Sequence, residues 1–184
     1  MTAYTHTENI GARRILVECK VAILGQNIDQ EDKVRALWDT GAMCTCISEN
    51  LANTLGLKPD DYGLVTGANN QPFRAPIYSV QLKMGHFVLP YLRVYGLPME
   101  GQAHDVIIGM DLVTKGDLSI TNCEGKTILT FREPSIQQID YVKELDLYNK
   151  MHQAWAKSGN TKCPCGSKRQ WKNCHGKQNN GHLI

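Results

Sequence analysis

The sequence predicts a mainly β domain closed into a barrel, followed by one amphipathic helix and a small basic, cysteine-rich tail. Three observations carry this reading. The first 133 residues alternate short apolar and polar runs with Gly- and Asn-rich turns. Helical spacing of apolar residues begins only after Pro134. Three of the seven cysteines, Cys163, Cys165 and Cys174, crowd into the tail. Many short strands separated by turns point to a closed or barrel-like all-β domain.

The 184 residues leave room for one ordinary domain and an appendage, and 42% hydrophobic against 21% charged residues is the balance of a folded, not a disordered, chain. No apolar run approaches the ~20 residues of a membrane span, and Met1 to Gly11 lacks the apolar stretch of a secretory signal. An odd cysteine count without such a signal fits a reducing compartment, so a cytoplasmic location is expected. The net charge of +2 hides a division. From Asn160 onward there are five basic residues and no acid, which leaves 15 basic against 18 acidic residues before it, about −3. The expected organisation is a β domain over 1–134, a linker helix over 135–159 and a tail over 160–184.

Within the first part, Val17, Cys19, Val21 and Ile23 share one face and Glu18 and Lys20 the other, which predicts a half-buried strand over Ile15 to Ile23. Lys33 to Trp38 reads as a second strand. Others are expected at Ile77 to Met84, Phe87 to Val94, Val106 to Ile108, Leu118 to Asn122 and Thr127 to Arg132, separated by turn signals such as Asn69-Asn70 and Glu124-Gly125. Ser48 to Gly56 and Asp111 to Lys115 read as short helices. Ser135 is a candidate N-cap for a helix whose apolar stripe runs through Ile136, Ile139, Val142, Leu145, Tyr148, Met151 and Trp155, and packing is the expected use of that stripe. Cys19 and Cys123 lie in strand patterns and are expected in the core; Cys44 and Cys46 are expected to be small buried residues.

Asp39-Thr40-Gly41 ends the second strand in a carboxylate, a pattern that by itself also suits a plain turn. Two further features follow it in order: a turn-forming segment from Val65 to Arg74 flanked by strands, and the apolar strand Val106-Ile107-Ile108 ending in Gly109. Together these resemble the retropepsins, the retroviral-type aspartic proteases, over roughly Arg14 to Arg132. The resemblance implies that Asp39 is catalytic, that Thr40 braces a pair of such residues across a dimer, and that Gly41 lets the backbone approach substrate. It also implies a flap over the substrate, with Val65, Thr66, Gly67, Ala68 and Asn69 as its substrate-binding residues. The family often carries Arg after Ile-Ile-Gly; here the residue is Met110, so that ion-pair network is absent or rebuilt.

The chemistry is consistent with this. Hydrolysing an amide without a metal or a covalent nucleophile requires a base for water and an acid for the departing group. Two carboxylates about 3 Å apart share a proton and supply both. The chain holds one Asp-Thr-Gly, so the second carboxylate is expected from another copy across a two-fold axis. Ala42 follows the motif; a Ser there would donate a hydrogen bond and lower the pair's pKa values, which Ala cannot do.

In the tail, Cys163, Cys165, Cys174 and His175 offer three thiols and an imidazole within thirteen residues, the four N/S ligands that a closed structural Zn²⁺ site takes. A tail of this length has too little core to fold unaided. The spacing, with Gly166-Ser167 and Trp171, is similar to the SEC-C motif, a zinc-binding tail. One structural zinc per chain is expected. The tail is expected to act as an adaptor that docks protein, with nucleic acid as the alternative given its basic residues and Trp171.

The leading function is therefore an aspartic endopeptidase, acting as a homodimer on peptide or protein substrates. The alternatives are a non-catalytic peptide-binding or dimerising module, and a nucleic-acid-binding protein that uses the basic zinc tail.

Overall fold

The structure, a computed structural model, describes residues 1–9, 11–67, 71–158, 160, 162–163 and 167–174, with the backbone alone for 151–158. The chain divides into two compact units, Met1–Gln137 and Gln138–Ile184.

The first unit is built of ten strands: β1 (Thr2–Glu8), β2 (Leu16–Ile23), β3 (Val34–Trp38), β4 (Cys46–Ser48), β5 (Asp61–Thr66), β6 (Pro72–Met84), β7 (Phe87–Leu97), β8 (Val106–Ile108), β9 (Asp117–Cys123) and β10 (Lys126–Glu133). Two short helices interrupt them, α1 (Glu49–Thr54) and α2 (Met110–Val113). Strands β2-β3-β8-β4-β7-β6 lie side by side and a β2–β6 pairing joins the two ends, so six strands close into a barrel. The outlying β5 extends the sheet beside β6. A separate three-stranded sheet, in the order β1-β10-β9, brings the first strand beside the last.

The alternation seen in β2 survives folding. Val17, Cys19 and Val21 are buried, with Ala36 and Trp38 of β3, Val80, Leu82 and Met84 of β6, and Val106 and Ile108 of β8. Removing this apolar surface from water is the main stabilising term of such a domain. Phe131 of β10 links the small sheet to the barrel core: its ring lies 5.3 Å from that of Trp38 and 5.5 Å, edge-on, from that of Phe87.

All the strands expected within Ile15 to Arg132 are present. Most run one or two residues from the expected bounds, but β6 begins five residues earlier, at Pro72, because its first half pairs with β5. The polar strands β1 and β5 carry no strong apolar alternation; their partners make them strands, β10 through His6↔Leu129 and β6 through Leu64↔Arg74. Cys123 is exposed, not in the core, since β9 is an edge strand and Cys123 sits at its turn end. Cys19 and Cys46 are buried as expected and Cys44 is half-buried.

The helix of the second unit, α3 (Tyr141–Ser158), starts later than Ser135. Ser135 instead donates its hydroxyl to Asp117 at 2.5 Å, and the Ile136 N–H donates to the same carboxylate at 3.0 Å, so this stretch is fastened to β9. Asp140 takes the capping role, accepting from the Lys143 N–H at 3.1 Å. Val142, Leu145 and Tyr148 of the expected apolar stripe are exposed.

Because Phe131 is fully buried between Trp38 and Phe87, Phe131→Ala should cost about 3–5 kcal/mol. Urea unfolding should show a lower midpoint with an unchanged slope. An unchanged midpoint would mean that the small sheet does not support the barrel through this ring.

Candidate active site

Asp39 is placed by a parallel pairing. β3 and β8 run side by side with Trp38 opposite Ile108, and the Asp39 N–H continues the ladder by donating to the Ile108 carbonyl at 3.0 Å. Beyond Trp38 the chain turns, with the Ala42 N–H donating to the Asp39 carbonyl at 3.2 Å. The Gly41 N–H donates to the Asp39 carboxylate at 2.8 Å, which fixes the orientation of that side chain. A Cβ on Gly41 would stand 3.1 Å from the same carboxylate oxygen, so the missing side chain allows this close approach. Asp39 is half-buried and Thr40 and Gly41 are exposed, so the motif is presented at the surface of the described chain.

The turn is held from beneath by the segment after β8. The Met110 N–H donates to the Ala42 carbonyl at 2.8 Å and the Asp111 N–H to the Met43 carbonyl at 3.1 Å. One carboxylate oxygen of Asp111 accepts from the Thr45 N–H at 2.9 Å, the Thr45 hydroxyl at 2.7 Å and the Leu112 N–H at 2.9 Å. The Gly109 N–H in turn donates to the Thr45 hydroxyl oxygen at 3.2 Å. Charge-assisted bonds of this kind are stronger than neutral ones. Gly109 is required by space: a Cβ there would fall 2.5 Å from the Cys44 carbonyl carbon and 2.6 Å from its oxygen.

Asp39, Thr40 and Gly41 thus sit on one turn, with Gly109 and Met110 directly behind it. Met110 contributes its backbone N–H where the family often has an Arg side chain. In the segment expected to form a flap, the described residues pair as strands, with Val65 opposite Phe73 and Thr66 opposite Pro72. Gly67 follows, and Ala68 and Asn69 lie outside the described residues. Arg74 lies over the Tyr62 ring at 4.8 Å and Arg93 reaches Asp61 at 3.2 Å, which brace the base of that strand pair.

Three residues of the site are not singled out by the sequence reading. Thr45 and Asp111 are the mortise of the turn, 66 residues apart in the chain; the only sequence signal is that each follows shortly after a Gly-containing motif. His104, just before β8, is buried at 7% exposure, and its Nδ1 has no hydrogen-bond partner among the described residues. Burial, and then the Arg14 charge, lower its pKa, while Asp105 and Asp39 pull the other way. Its environment thus favours the neutral imidazole, within electrostatic reach of Asp39.

In the tail, Cys163 is buried and its N–H donates to the Arg169 carbonyl at 2.6 Å, while Lys162 and Gln170 form a β-bridge, so the chain doubles back between them. Trp171 is buried, whereas stacking on nucleic-acid bases would use an exposed ring. Cys174 Sγ lies 3.3 Å from the Ser167 hydroxyl. Cys165 and His175 lie outside the described residues. Two thiols at the two ends of a tight loop suit the soft-ligand set of a zinc site.

Residues 23–112 match the family model described as aspartyl protease, and residues 160–177 match the SEC-C motif. No curated protein matches the chain. Among solved structures it is similar to a retropepsin-like aspartic protease from Rickettsia conorii, at 13% identity and a TM-score of 0.45, covering 71% of this chain and 93% of that one. It is also similar to the retroviral protease-like domain of Ddi1 from Leishmania major, at 16% identity and a TM-score of 0.42, covering 71% and 99%. A third, the EIAV protease in complex with an inhibitor, has 14% identity and a TM-score of 0.41, covering 55% and 86%. The chain carries a retropepsin-like domain and a SEC-C motif, as the resemblances implied.

Thr45→Val keeps the shape of the side chain but removes the hydroxyl that joins Gly109 to Asp111. It should lower stability by about 1–3 kcal/mol, whereas Thr45→Ser should retain most of it. Equal urea midpoints for the Val variant and the wild type would show that the bond is dispensable.

Proposed function

We propose, from an aspartyl protease segment that ends its third strand in Asp39-Thr40-Gly41 and a SEC-C motif at the other end of the chain, that this protein is an aspartic endopeptidase whose active site is shared between two copies. One observation carries the reading: the Asp39 carboxylate is oriented by the Gly41 N–H at the surface of a turn locked from behind. A carboxylate held in place but open on one side is half of a proton-sharing pair. The chain has one such motif, so the partner subunit's Asp39 completes it.

The steps follow from that pair. A water held between the two carboxylates loses a proton to the ionised one and attacks the peptide carbonyl carbon. The protonated carboxylate donates to the carbonyl oxygen as it becomes tetrahedral. Collapse breaks the C–N bond as a carboxyl proton passes to the leaving nitrogen and one diol hydroxyl returns its proton to the other carboxylate, so the pair again shares one proton. Thr40 braces the pair across the two-fold axis, Gly41 gives substrate backbone its approach, and Val65, Thr66, Gly67, Ala68 and Asn69 cover it. Ala42 offers no hydroxyl to the carboxylate, which keeps the pair's pKa values from being lowered that way.

In the tail, Cys163, Cys165, Cys174 and His175 would hold one structural zinc, which takes over the role of a hydrophobic core there. All four positions are filled by protein, so this ion has no open place for substrate. The tail then serves as an adaptor that brings protein substrate to the β domain.

Asp39→Asn should leave a folded, inactive homodimer. In mixtures whose subunits exchange, activity should fall as the square of the wild-type fraction, so an equal mixture keeps roughly a quarter at fixed total protein. A linear fall to about a half would mean that each chain has its own complete site. Elemental analysis should find one zinc per chain in protein purified without chelator, and Cys174→Ser should lose it and unfold the tail while the β domain keeps its urea midpoint. Metal-free protein with an intact tail would refute the zinc assignment.

A further inference from the structure

One cavity of the β unit lies away from Asp39. It is a half-open groove of about 690 Å³ between β1 and the outer face of the barrel at β2 and β3. That volume lies in the range of small-ligand and short-peptide sites. Tyr4 and His6 form one wall, and Leu16, Lys20 and Arg35 stand on the other.

Charge distinguishes this groove from an ordinary crevice. Four cations line it, Lys20, Lys33, Arg35 and Lys83, against two acids, Glu8 and Glu18. Both acids are already engaged: Glu18 accepts from Lys33 at 2.7 Å and Glu8 from His6 at 2.8 Å. Lys33 holds Glu18 below its usual pKa, so that acid remains an anion tied to its lysine. Lys83 is engaged with Asp29 and Lys20 donates to the Asp29 carbonyl at 2.6 Å. The Arg35 side chain is exposed and makes no hydrogen bond or ion pair among the described residues, and it lies in the field of Glu18. Burial pushes the Tyr4 hydroxyl up to about 12, so it stays protonated and able to donate. The groove therefore offers unspent donors, the Arg35 guanidinium and the Tyr4 hydroxyl, and positive charge beside Leu16.

Strand pairing argues for an extended occupant. β2 pairs with β3 over Leu16 to Cys19 and exchanges it for β6 over Lys20 to Ile23. Its first half thus has one strand partner among the described residues, and an added strand lies naturally there. We propose that this groove docks an extended acidic peptide segment, with Arg35 as its principal anchor. Arg35 precedes Asp39 by four residues of β3, about 13 Å along the strand, so an occupied groove leaves the Asp39 turn clear. The proposal concerns binding and does not depend on cleavage.

The test uses full-length Asp39→Asn protein, so that no peptide is consumed, and fluorescence anisotropy of fluorescein-labelled eight-residue peptides. Alternating Glu-Leu should bind, with Ser-Leu weaker by about tenfold or more and Lys-Leu weaker still. Arg35→Glu should weaken the Glu-Leu peptide by about tenfold and Arg35→Gln by less, both with unchanged circular dichroism. Raising salt from ~0.05 to ~0.5 M should weaken it further. Equal affinity for the Ser-Leu peptide, or for the Arg35→Glu protein, would overturn the proposal. So would affinity that survives Arg35→Glu but falls when Lys168 and Arg169 are replaced by Ala, which would place the peptide on the basic tail. Displacement by an equal concentration of citrate would assign the groove to small anions instead.

Discussion

Everything at the Asp39 turn depends on one close approach. Gly109 lies so near the Cys44 carbonyl that no side chain fits between them. This contact lets Met110 and Asp111 reach the carbonyls of Ala42 and Met43, and lets the Asp111 carboxylate gather the N–H and hydroxyl of Thr45. A turn of seven residues between two strands would otherwise carry several unpaired backbone groups, each costly if left buried. The crossing of two chain segments satisfies them, and the Asp39 carboxylate is held as a result. The parallel β3–β8 pairing supplies the approach, because it brings the ends of both strands to the same level.

The rest of the β unit keeps that crossing rigid while leaving its outer side open. Trp38, next to Asp39, is buried against Phe131, so the sheet formed by the first and last strands bears directly on the residue that precedes the carboxylate. The indole N–H of Trp38 and the Nδ1 of His104 are buried without hydrogen-bond partners among the described residues. Such groups are costly; Trp38 immediately precedes Asp39, and His104 lies within electrostatic reach of it.

Two kinds of surface then divide the work that the proposed function requires. The Asp39 turn presents a single carboxylate and little else that is charged, as suits chemistry on a neutral peptide bond. The groove beneath β1 presents cations whose acidic neighbours are already engaged.

Much of this was legible in the residues. The Gly-ended strand Val106 to Gly109 and the alternation in β2 each state their place in the fold locally, and Asp39-Thr40-Gly41 gains its meaning from standing in order with them. The tail's ligand types were equally plain. The strands β1 and β5 were not, because polar sequences become strands only when a partner lies beside them. Ser135 looked like a helix cap, yet Asp117, distant in sequence, took its hydroxyl, and Asp140 capped the helix instead. Cys123 has the pattern of a core residue and lies on an edge, because exposure depends on how many strands a sheet has. The sequence by itself determined which residue types are available for chemistry and the period on which each strand is built. Only the tertiary structure decided the Thr45–Asp111 bond, the buried His104 and the cationic groove, since each depends on residues far apart in the chain meeting at a few ångströms.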